Sequence, residues 1–193
     1  MTRLVLASTS RYRRELLERL RLPFEAIAPQ VDETALPGES ARALAQRLAH
    51  AKASAVARLH PDAVVIGSDQ VADQGGRAHG KPGDHAGATR QLRDCSGQAV
   101  EFHSAVCVID GRHADAMHAF VDRTRVVFRT LDHAEIERYL RAEQPYDCAG
   151  SFKCEGLGAA LFERIESQDP TGLVGLPLIA LAKVLRECGY ALP

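Results

Sequence analysis

The sequence predicts an α/β fold. Short apolar runs alternate along the chain with amphipathic segments of helical spacing, which is the pattern of strands and helices packed in layers. Two β-rich stretches, 99–109 and 118–128, are separated by Asp110-Gly111, a hairpin signal. With 193 residues and 46% hydrophobic content, the chain can form one well-packed domain or two lobes that share a core.

The first unit is a strand followed by a helix. Residues 3–7 form an apolar run, a Ser-Thr-Ser turn follows, and leucines recur at helical spacing over 11–20. Arg11, Arg13 and Arg14 open this helix, although the positive end of the helix dipole disfavours cations there. A bound phosphate would make the arrangement favourable, because backbone N–H groups, a serine hydroxyl and guanidinium groups together bind anions. The alternative is that the arginines point into water.

The later elements follow from turn, cap and periodicity signals. The sequence predicts a strand near 24–28, a helix from the N-cap Ser40 to about Arg58, and a strand at 63–66 that stops at Gly67, Ser68 and Asp69. It then predicts a hairpin turn at 74–77, a loop at 80–83, a helix at 84–93, a capping-box helix from Asp132 to Arg141, a loop at 147–158, a strand at 161–165, and a helix from Pro177 that ends before Gly189. The chain has no internal repeat or linker, so we predict one domain over 1–193.

Charge and composition exclude several classes of protein. A net charge of -1 argues against broad binding of nucleic acid or anionic membranes. Neither a signal peptide nor a membrane-spanning run is apparent, so we expect a cytoplasmic protein. The five cysteines lack C-x-x-C spacing and the eight histidines form no close ligand pair, which disfavours a disulfide framework and a histidine-bound transition metal.

Asp69 is the first candidate catalytic residue. It follows a run that has the character of a fully buried strand, and the carboxyl ends of strands face the ligand crevice in open α/β sheets. An aspartate there can hold a metal or act as a general base. The alternative is an aspartate that only caps a turn.

Three further charged residues could act with Asp69. Lys52 lies at the border of a helix's apolar stripe, where it could reach a cleft or extend to solvent. Lys81 lies between Gly80 and Pro82, so it loses less freedom on binding an anion, and Glu33 is either a second acidic ligand or simply solvated. Two acidic sites with basic residues nearby suit metal-assisted phosphoryl transfer, because oxygen ligands hold Mg²⁺ and cations offset phosphate charge.

Seven short motifs occur in order along almost the whole chain. They are L-A-S-T-S-x-x-R (6–13), V-D-E-T (31–34), A-x-x-K-A (49–53), I-G-S-D-Q-V (66–71), G-K-P (80–82), C-A-G-S-F-K-x-E-G (148–156) and L-V-G-L-P-L (173–178). Together they resemble the Maf family of nucleoside triphosphate pyrophosphatases. The resemblance implies a mixed, elongated sheet flanked by helices, with two lobes around a central cleft, as in the inosine-triphosphatase architecture.

The resemblance also implies an activity and a set of site residues. Family members cut between the α- and β-phosphates with a divalent cation, which would be Mg²⁺ or Mn²⁺. Asp69 would be the proton acceptor that activates water, and Glu33 would help Asp69 to hold the metal. The phosphate-binding set carried over by motif is Ser8, Arg13, Lys52 and Lys81.

One loop is similar to a particular branch of the family. C-A-G-S-F-K-x-E-G resembles the branch acting on 7-methyl-GTP, whereas the branch acting on dTTP and UTP has K-A-G-A-Y-x-x-Q-G. The specificity positions map onto Tyr12, Gln70 and Glu155. Tyr12 stands where the branch has tryptophan, and Cys154 stands where it has serine. N7-methylation makes guanine cationic, so Tyr12 could attract it by a cation–π contact, while Glu155 would accept hydrogen bonds from guanine N–H groups.

Three other functions remain open at this stage. One is a non-catalytic regulator of cell division that binds nucleotide as a signal, and another is a pyrophosphatase for dTTP or UTP. The third, an RNA-binding module built on Arg11–Arg14, is disfavoured because aromatic residues make up only 5% of the chain. The partner we expect is a small nucleotide, without nucleic acid or membrane, and a homodimer is left open.

Overall fold

Five helices pack against one sheet of seven strands in the described residues, which are 2–113 and 116–193 of a computed structural model. The elements in chain order are β1 (Arg3–Ala7), α1 (Arg11–Glu18), β2 (Glu25–Ile27), α2 (Ala41–Ala57), β3 (Ala63–Gln74), β4 (Arg77–His79), α3 (His85–Cys95), β5 (Ala99–Asp110), β6 (Met117–Phe128), α4 (His133–Glu143), β7 (Phe162–Glu166) and α5 (Leu178–Glu187). Two short 3₁₀ turns, Ala149–Ser151 and Leu157–Leu161, precede β7.

The sheet is mixed and elongated. Its strand order is β2-β1-β3-β5-β6-β7, with β4 paired to β3. β1 runs parallel to β2 and β3, and every other pairing is antiparallel. The central strands are long because β5 pairs with β3 over ten positions, from Val64 opposite Asp110 to Asp73 opposite Glu101.

Helices cover both faces of the sheet. On one face α2 packs against Val71 and Cys107. On the other face α1 and α5 pack against one half of the sheet, and α3 and α4 pack against the other half. The two halves form lobes that share the sheet, with a cleft between them. The predicted α/β architecture is therefore confirmed.

The predicted end of the strand at 63–66 is wrong. β3 continues through Gly67, Ser68 and Asp69 to Gln74, and both Ser68 and Asp69 are buried. The strand continues because β5 supplies backbone partners along its whole length, which satisfies the buried peptide groups despite the polar side chains. Asp69 thus lies within a strand rather than after its end.

An interruption in pairing along one edge of β3 locates the cleft. β1 ends at Ala7, opposite Gly67, and β4 pairs with the same edge only from Ala72 to Gln74. No described strand pairs with that edge over 68–71. Side chains of successive residues point to opposite faces of a strand, and at this opening both faces reach the cleft.

Three smaller features complete the comparison with the predictions. The hairpin turn at 74–77 is confirmed, with Gly75 and Gly76 at φ values of 60° and 90°. β5 and β6 are joined by residues 111–116, of which 114 and 115 lie outside the described residues. Pro177 is the N-cap of α5 rather than its first residue.

Among the residues that the structure describes, no helix has both the length and the apolar character needed to cross a membrane.

Candidate active site

A cavity of about 690 Å³ lies beside the open edge of β3 at 68–71. Its walls come from both lobes: the β1–α1 turn, α2 and β3 on one side, and the loops at 78–81 and 147–155 on the other. All nine site residues predicted from the sequence line it, namely Ser8, Tyr12, Arg13, Glu33, Lys52, Asp69, Gln70, Lys81 and Glu155. The fold therefore brings together residues that are spread over most of the chain.

The ammonium of Lys52 lies between two carboxylates. Its Nζ is 2.7 Å from Asp69 Oδ1 and 2.8 Å from Glu33 Oε1. The Lys52 side chain is only 7% exposed, so the alternative in which it extends to solvent is wrong. Because a buried ammonium needs a charged partner, this arrangement fixes the position of the Asp69 carboxylate, whereas Glu33 remains 59% exposed.

Close packing of α2 on β3 brings Lys52 to Asp69. A Cβ atom on Gly67 would overlap the Ala49 carbonyl oxygen and would lie 2.5 Å from the Ala53 amide nitrogen. Only a glycine allows the helix backbone to approach the strand this closely. Lys52 is on the same helix, one residue before Ala53, and it reaches the strand two positions beyond Gly67.

An ion pair between α2 and the loop at 28–40 holds the segment that carries Glu33. Arg47 of α2 donates from Nε and Nη2 to the Glu39 carboxylate at 2.7 and 2.8 Å, and Nη2 also donates to the Thr34 carbonyl at 2.9 Å. The hydrogen bonds from Arg47, followed by one from the Leu36 backbone, lower the pKa of Glu39 to about 2. The loop therefore has a defined path past Lys52.

Arg13 of α1 lines the cavity. Its Nε donates to the Gly175 carbonyl oxygen at 3.0 Å. Burial lowers the pKa of its guanidinium, and the negative charges of Asp69 and Glu33 oppose that shift. Arginine stays protonated in proteins, so Arg13 brings a positive charge to the cavity.

The first turn of α1 is capped by serines and carries no carboxylate. Ser10 Oγ accepts a hydrogen bond from the Arg13 amide, and Ser8 Oγ accepts one from the Ser10 amide at 3.1 Å. Arg14 is exposed and pairs with Glu18 in the next turn. Arg13 and Arg14 thus have different partners.

Tyr12 lines the cavity and already contacts a cation. The guanidinium of Arg11 lies over its ring, with Cζ 4.7 Å from the ring centroid, and Nη2 donates to the Tyr12 hydroxyl at 2.6 Å. The hydroxyl also lies 3.5 Å from both Asp147 Oδ1 and Cys148 Sγ. Burial, followed by the hydrogen bond from Cys148, raises the pKa of Tyr12, so the phenol stays protonated.

Gln70 is anchored to the segment that follows β7. Its Nε2 lies 2.8 Å from Ser104 Oγ, 3.1 Å from the Gly172 carbonyl and 2.9 Å from the Leu173 carbonyl. Since its partners include two carbonyl oxygens, the amide nitrogen must face them. If Gln70 contacts a ligand directly, the contacting atom is therefore Oε1.

Glu155 lies on an exposed part of the loop at 147–156, where Cys154 Sγ donates to Glu155 Oε2 at 3.4 Å. The loop is anchored by Phe152, which is 5% exposed. Phe152 makes edge contacts with three rings at centroid distances of 5.2, 5.7 and 4.8 Å, those of Phe102, Phe128 and Phe162. Such contacts add to the energy of burial, so the loop has a rigid base.

Lys81 is exposed at the rim of the cavity. Its loop is tied on both sides, because the Gly83 amide donates to the Tyr146 carbonyl at 3.1 Å and Gln91 Nε2 donates to the Gly80 carbonyl at 3.0 Å. The loops that carry Lys81 and Asp147 are therefore connected by a backbone hydrogen bond.

The carboxylates of Glu33 and Asp69 are suited to a hard cation. Across residues 2–113 and 116–193, no group of three or more His, Cys, Asp or Glu side chains has the spacing of a metal site. Mg²⁺, however, is usually held by one or two carboxylates together with waters and substrate phosphates. Because both carboxylates reach the same ammonium, they are close enough to share a cation of another kind, and the residues fit such a group.

Several residues of the site have no clear signal in the sequence. Arg47 and Glu39 fix the Glu33 loop, Gly175 provides a carbonyl to Arg13, and Asp147 borders Tyr12. Gly175 lies inside the motif at 173–178, which was recognised without a role for the glycine. Asp147 directly precedes the motif at 148–156, and this position next to a motif is the signal in the sequence that could have identified it.

The chain is similar to known proteins over almost its whole length. The family described as Maf-like protein matches residues 3–188. A relative from Xanthomonas axonopodis pv. citri, named 7-methyl-GTP pyrophosphatase, is 58% identical over 193 residues, which is 100% of both chains. A relative of the same name from Polaromonas sp. is 61% identical over 98% of this chain and 86% of its own length.

A solved structure shares the fold at low identity. The structure of a HAM1 protein from Coxiella burnetii has a TM-score of 0.53 and 17% identity, and the match covers 97% of this chain and 100% of that one. The likeness concerns the fold alone. The match to the family and the two full-length relatives identify the chain: it belongs to the Maf family.

Proposed function

We propose that the protein is a nucleoside triphosphate pyrophosphatase that hydrolyses 7-methyl-GTP to 7-methyl-GMP and diphosphate. The observation that carries the proposal is the contact of the buried Lys52 ammonium with both Asp69 and Glu33 at the wall of a nucleotide-sized cavity. The names of the full-length relatives support the same substrate. A purely regulatory nucleotide-binding protein would have no need of a buried carboxylate held in this way.

The triphosphate would bind across the start of α1. Arg13 and Lys52 provide positive charge from two elements, and Lys81 provides it from the opposite rim of the cavity. The backbone N–H groups of the first helical turn and the Ser8 hydroxyl add hydrogen-bond donors. These groups would offset the charge of the phosphates and hold the α-phosphorus in reach of Asp69.

Asp69 is the residue to which we assign water activation. Lys52 holds Asp69 Oδ1, so the carboxylate cannot turn away from the cavity. It orients a water molecule and accepts a proton from it as the water oxygen attacks the α-phosphorus. The bond between the α-phosphorus and the bridging oxygen breaks, and diphosphate leaves with that oxygen.

A divalent cation, Mg²⁺ or Mn²⁺, completes the proposal. Glu33 and Asp69 are the residues that would hold it. When bound, it would neutralise charge on the phosphate oxygens. We propose this requirement on the chemistry of the two carboxylates and on their proximity to one ammonium.

Base selection falls to residues from both walls of the cavity. Tyr12 would stack on the base, and Glu155 would accept hydrogen bonds from the N–H groups of guanine. A site built on such hydrogen bonds rejects bases that lack the donors, such as thymine and uracil. Gln70, through Oε1, would complete the base contacts. A cytoplasmic location and a homodimer stay predictions.

The test is a panel of nucleotides. Diphosphate release is measured from 7-methyl-GTP, GTP, dTTP, UTP and ATP, with Mg²⁺ and after chelation. We expect the highest kcat/KM with 7-methyl-GTP and loss of release on chelation. Hydrolysis in ¹⁸O-labelled water should place the label in 7-methyl-GMP rather than in diphosphate. A preference for dTTP or UTP would overturn the assignment to the 7-methyl-GTP branch. If no nucleotide releases diphosphate, the result would favour a regulatory protein.

A further inference from the structure

A guanidinium, a phenol ring and a carboxylate meet in the cavity, where α1 faces the loop that begins at Asp147. Arg11 Cζ lies 4.7 Å from the centroid of the Tyr12 ring. Arg11 Nη2 lies 3.9 Å from Asp147 Oδ2, and the Tyr12 hydroxyl lies 3.5 Å from Asp147 Oδ1. A flat, delocalised cation thus lies over an aromatic ring and near a carboxylate.

Asp147 lies on a fixed segment, although its own side chain is 54% exposed. The preceding residue, Tyr146, is held at both ends: its hydroxyl lies 3.0 Å from His85 Nδ1, and its carbonyl accepts from the Gly83 amide at 3.1 Å. These contacts keep the backbone of Asp147 beside Tyr12 at the cavity wall.

This arrangement matches the chemistry of an N7-methylated guanine. Such a base is a flat ring system with a delocalised positive charge, as a guanidinium is. An aromatic face attracts a cation of this shape, and a carboxylate adds Coulomb attraction that a neutral base does not feel. Glu155 can accept hydrogen bonds from guanine whether or not N7 is methylated, so those hydrogen bonds do not provide this discrimination.

We propose that Asp147 is a specificity-determining residue, which with Tyr12 forms a receptor for a flat cationic base, and that Arg11 occupies this receptor when no substrate is bound. The inference rests on the proposed function, because it concerns the base of the same substrate. In this proposal Asp147 recognises the positive charge of the base, and Glu155 recognises its hydrogen-bonding edge.

The test separates charge from shape. The substrates are 7-methyl-GTP and 7-deaza-7-methyl-GTP, which has the same outline but a neutral base. In Asp147→Asn we expect the ratio of their kcat/KM values to fall roughly twofold to fivefold, since exposed charge pairs contribute modestly. The loss should lie in KM for the cationic substrate, with kcat and the neutral substrate unchanged. Asp147→Glu should recover part of the ratio.

Two further variants sharpen the test. Asp62→Asn makes the same change in net charge at an exposed position outside the cavity, and it should leave the ratio unchanged. Arg11→Gln removes the resident cation, which any base that stacks on Tyr12 must displace, so KM should fall for both substrates and should fall more for 7-methyl-GTP. An unchanged ratio in Asp147→Asn, or a raised KM for 7-methyl-GTP in Arg11→Gln, would overturn the inference.

Failure of the proposed function gives a different result. If the wild-type protein releases no diphosphate from any nucleotide, the activity is wrong, and calorimetric binding of 7-methyl-GMP and GMP then tests Asp147 independently. The inference expects the wild-type protein to bind 7-methyl-GMP more tightly than GMP, and expects Asp147→Asn to lose that preference. Equal preference in both proteins would overturn it.

Discussion

Arg13 Nε donates to the carbonyl oxygen of Gly175 at 3.0 Å, across 162 positions of the chain. The same carbonyl accepts a hydrogen bond from Ser68 Oγ at 3.0 Å. Gly175 has a φ of 120°, a conformation that side-chain-bearing residues rarely adopt. The arginine at the start of α1 is thus held by a glycine near the start of α5, and both are tied to β3.

Replacement of Arg13 by lysine should separate charge from geometry. Lysine keeps the positive charge, but it cannot bind the Gly175 carbonyl and a phosphate together as a planar guanidinium can. We expect kcat/KM to fall by roughly 10- to 100-fold, the value of one hydrogen bond to a charged group. Steady-state kinetics of Arg13→Lys measure this. The matched control is Arg14→Lys, at an exposed ion pair, and an equal loss in both variants would contradict the assignment.

Replacement of Lys52 by methionine should expose the repulsion between Glu33 and Asp69. The variant keeps the apolar stem and removes the ammonium that lies 2.7 Å from Asp69 and 2.8 Å from Glu33. We expect the free energy of unfolding to fall by about 3 kcal/mol, the low end for a broken buried ion pair, because Glu33 is largely exposed. Denaturant unfolding measures it.

The same variant tests the divalent-cation proposal. Once the ammonium is gone, Mg²⁺ should bind the two carboxylates more tightly, so it should raise the melting temperature of Lys52→Met more than that of the wild type. Lys153→Met, which breaks a partly buried ion pair with Glu143 in the other lobe, should show no such gain. Equal shifts with Mg²⁺ in all three proteins would count against a cation at Glu33 and Asp69.

Gly67→Ala should disturb the site without altering any charged residue. The new Cβ would overlap the Ala49 carbonyl oxygen, so α2 must move away from β3 and carry Lys52 with it. We expect a loss of about 1–3 kcal/mol in stability from overpacking, and a fall in kcat of up to about 100-fold from misplacement of catalytic groups. Gly80→Ala, where the Cβ meets no atom within 4 Å, is the control for stability. Wild-type stability and kcat in Gly67→Ala would refute the packing argument.

The Glu39–Arg47 pair should give stability a defined pH dependence. Hydrogen bonds from Arg47 lower the pKa of Glu39 from 4.5 to about 2. The pair therefore stabilises the fold fully above pH 4.5, and this contribution is lost as the pH falls towards about 2. The difference in unfolding free energy between wild type and Glu39→Gln should be constant above pH 4.5 and shrink below it. A difference that grows on acidification would contradict the assignment.

Local signals were sufficient for much of the fold but not for β3. The apolar run at 3–7 forms β1 itself. Ser10, which caps α1, directly precedes that helix. Ser68 and Asp69, in contrast, look like the end of a strand, yet they are buried inside one. Their partners are Gly175, more than 100 positions later, and Lys52, 17 positions earlier. No local pattern encodes such partners.

The sequence was sufficient to predict which residues form the site, but it was not sufficient to predict the contacts between them. Motif resemblance selected nine residues that all line the cavity. It gave no indication that Lys52 joins Glu33 to Asp69, because that contact depends on the approach of α2 at Gly67. Asp147 was missed because a carboxylate in a polar loop has no distinguishing pattern until Tyr12 is seen beside it.

The central claim is that Asp69 activates the water that attacks 7-methyl-GTP. The most direct measurement is kcat for diphosphate release by Asp69→Asn, with Asp62→Asn as the control and circular dichroism to verify the fold. We predict a loss of roughly 10²- to 10⁴-fold in kcat, the range for a general base, with nucleotide binding retained. A folded Asp69→Asn protein with the kcat of the wild type would contradict the account.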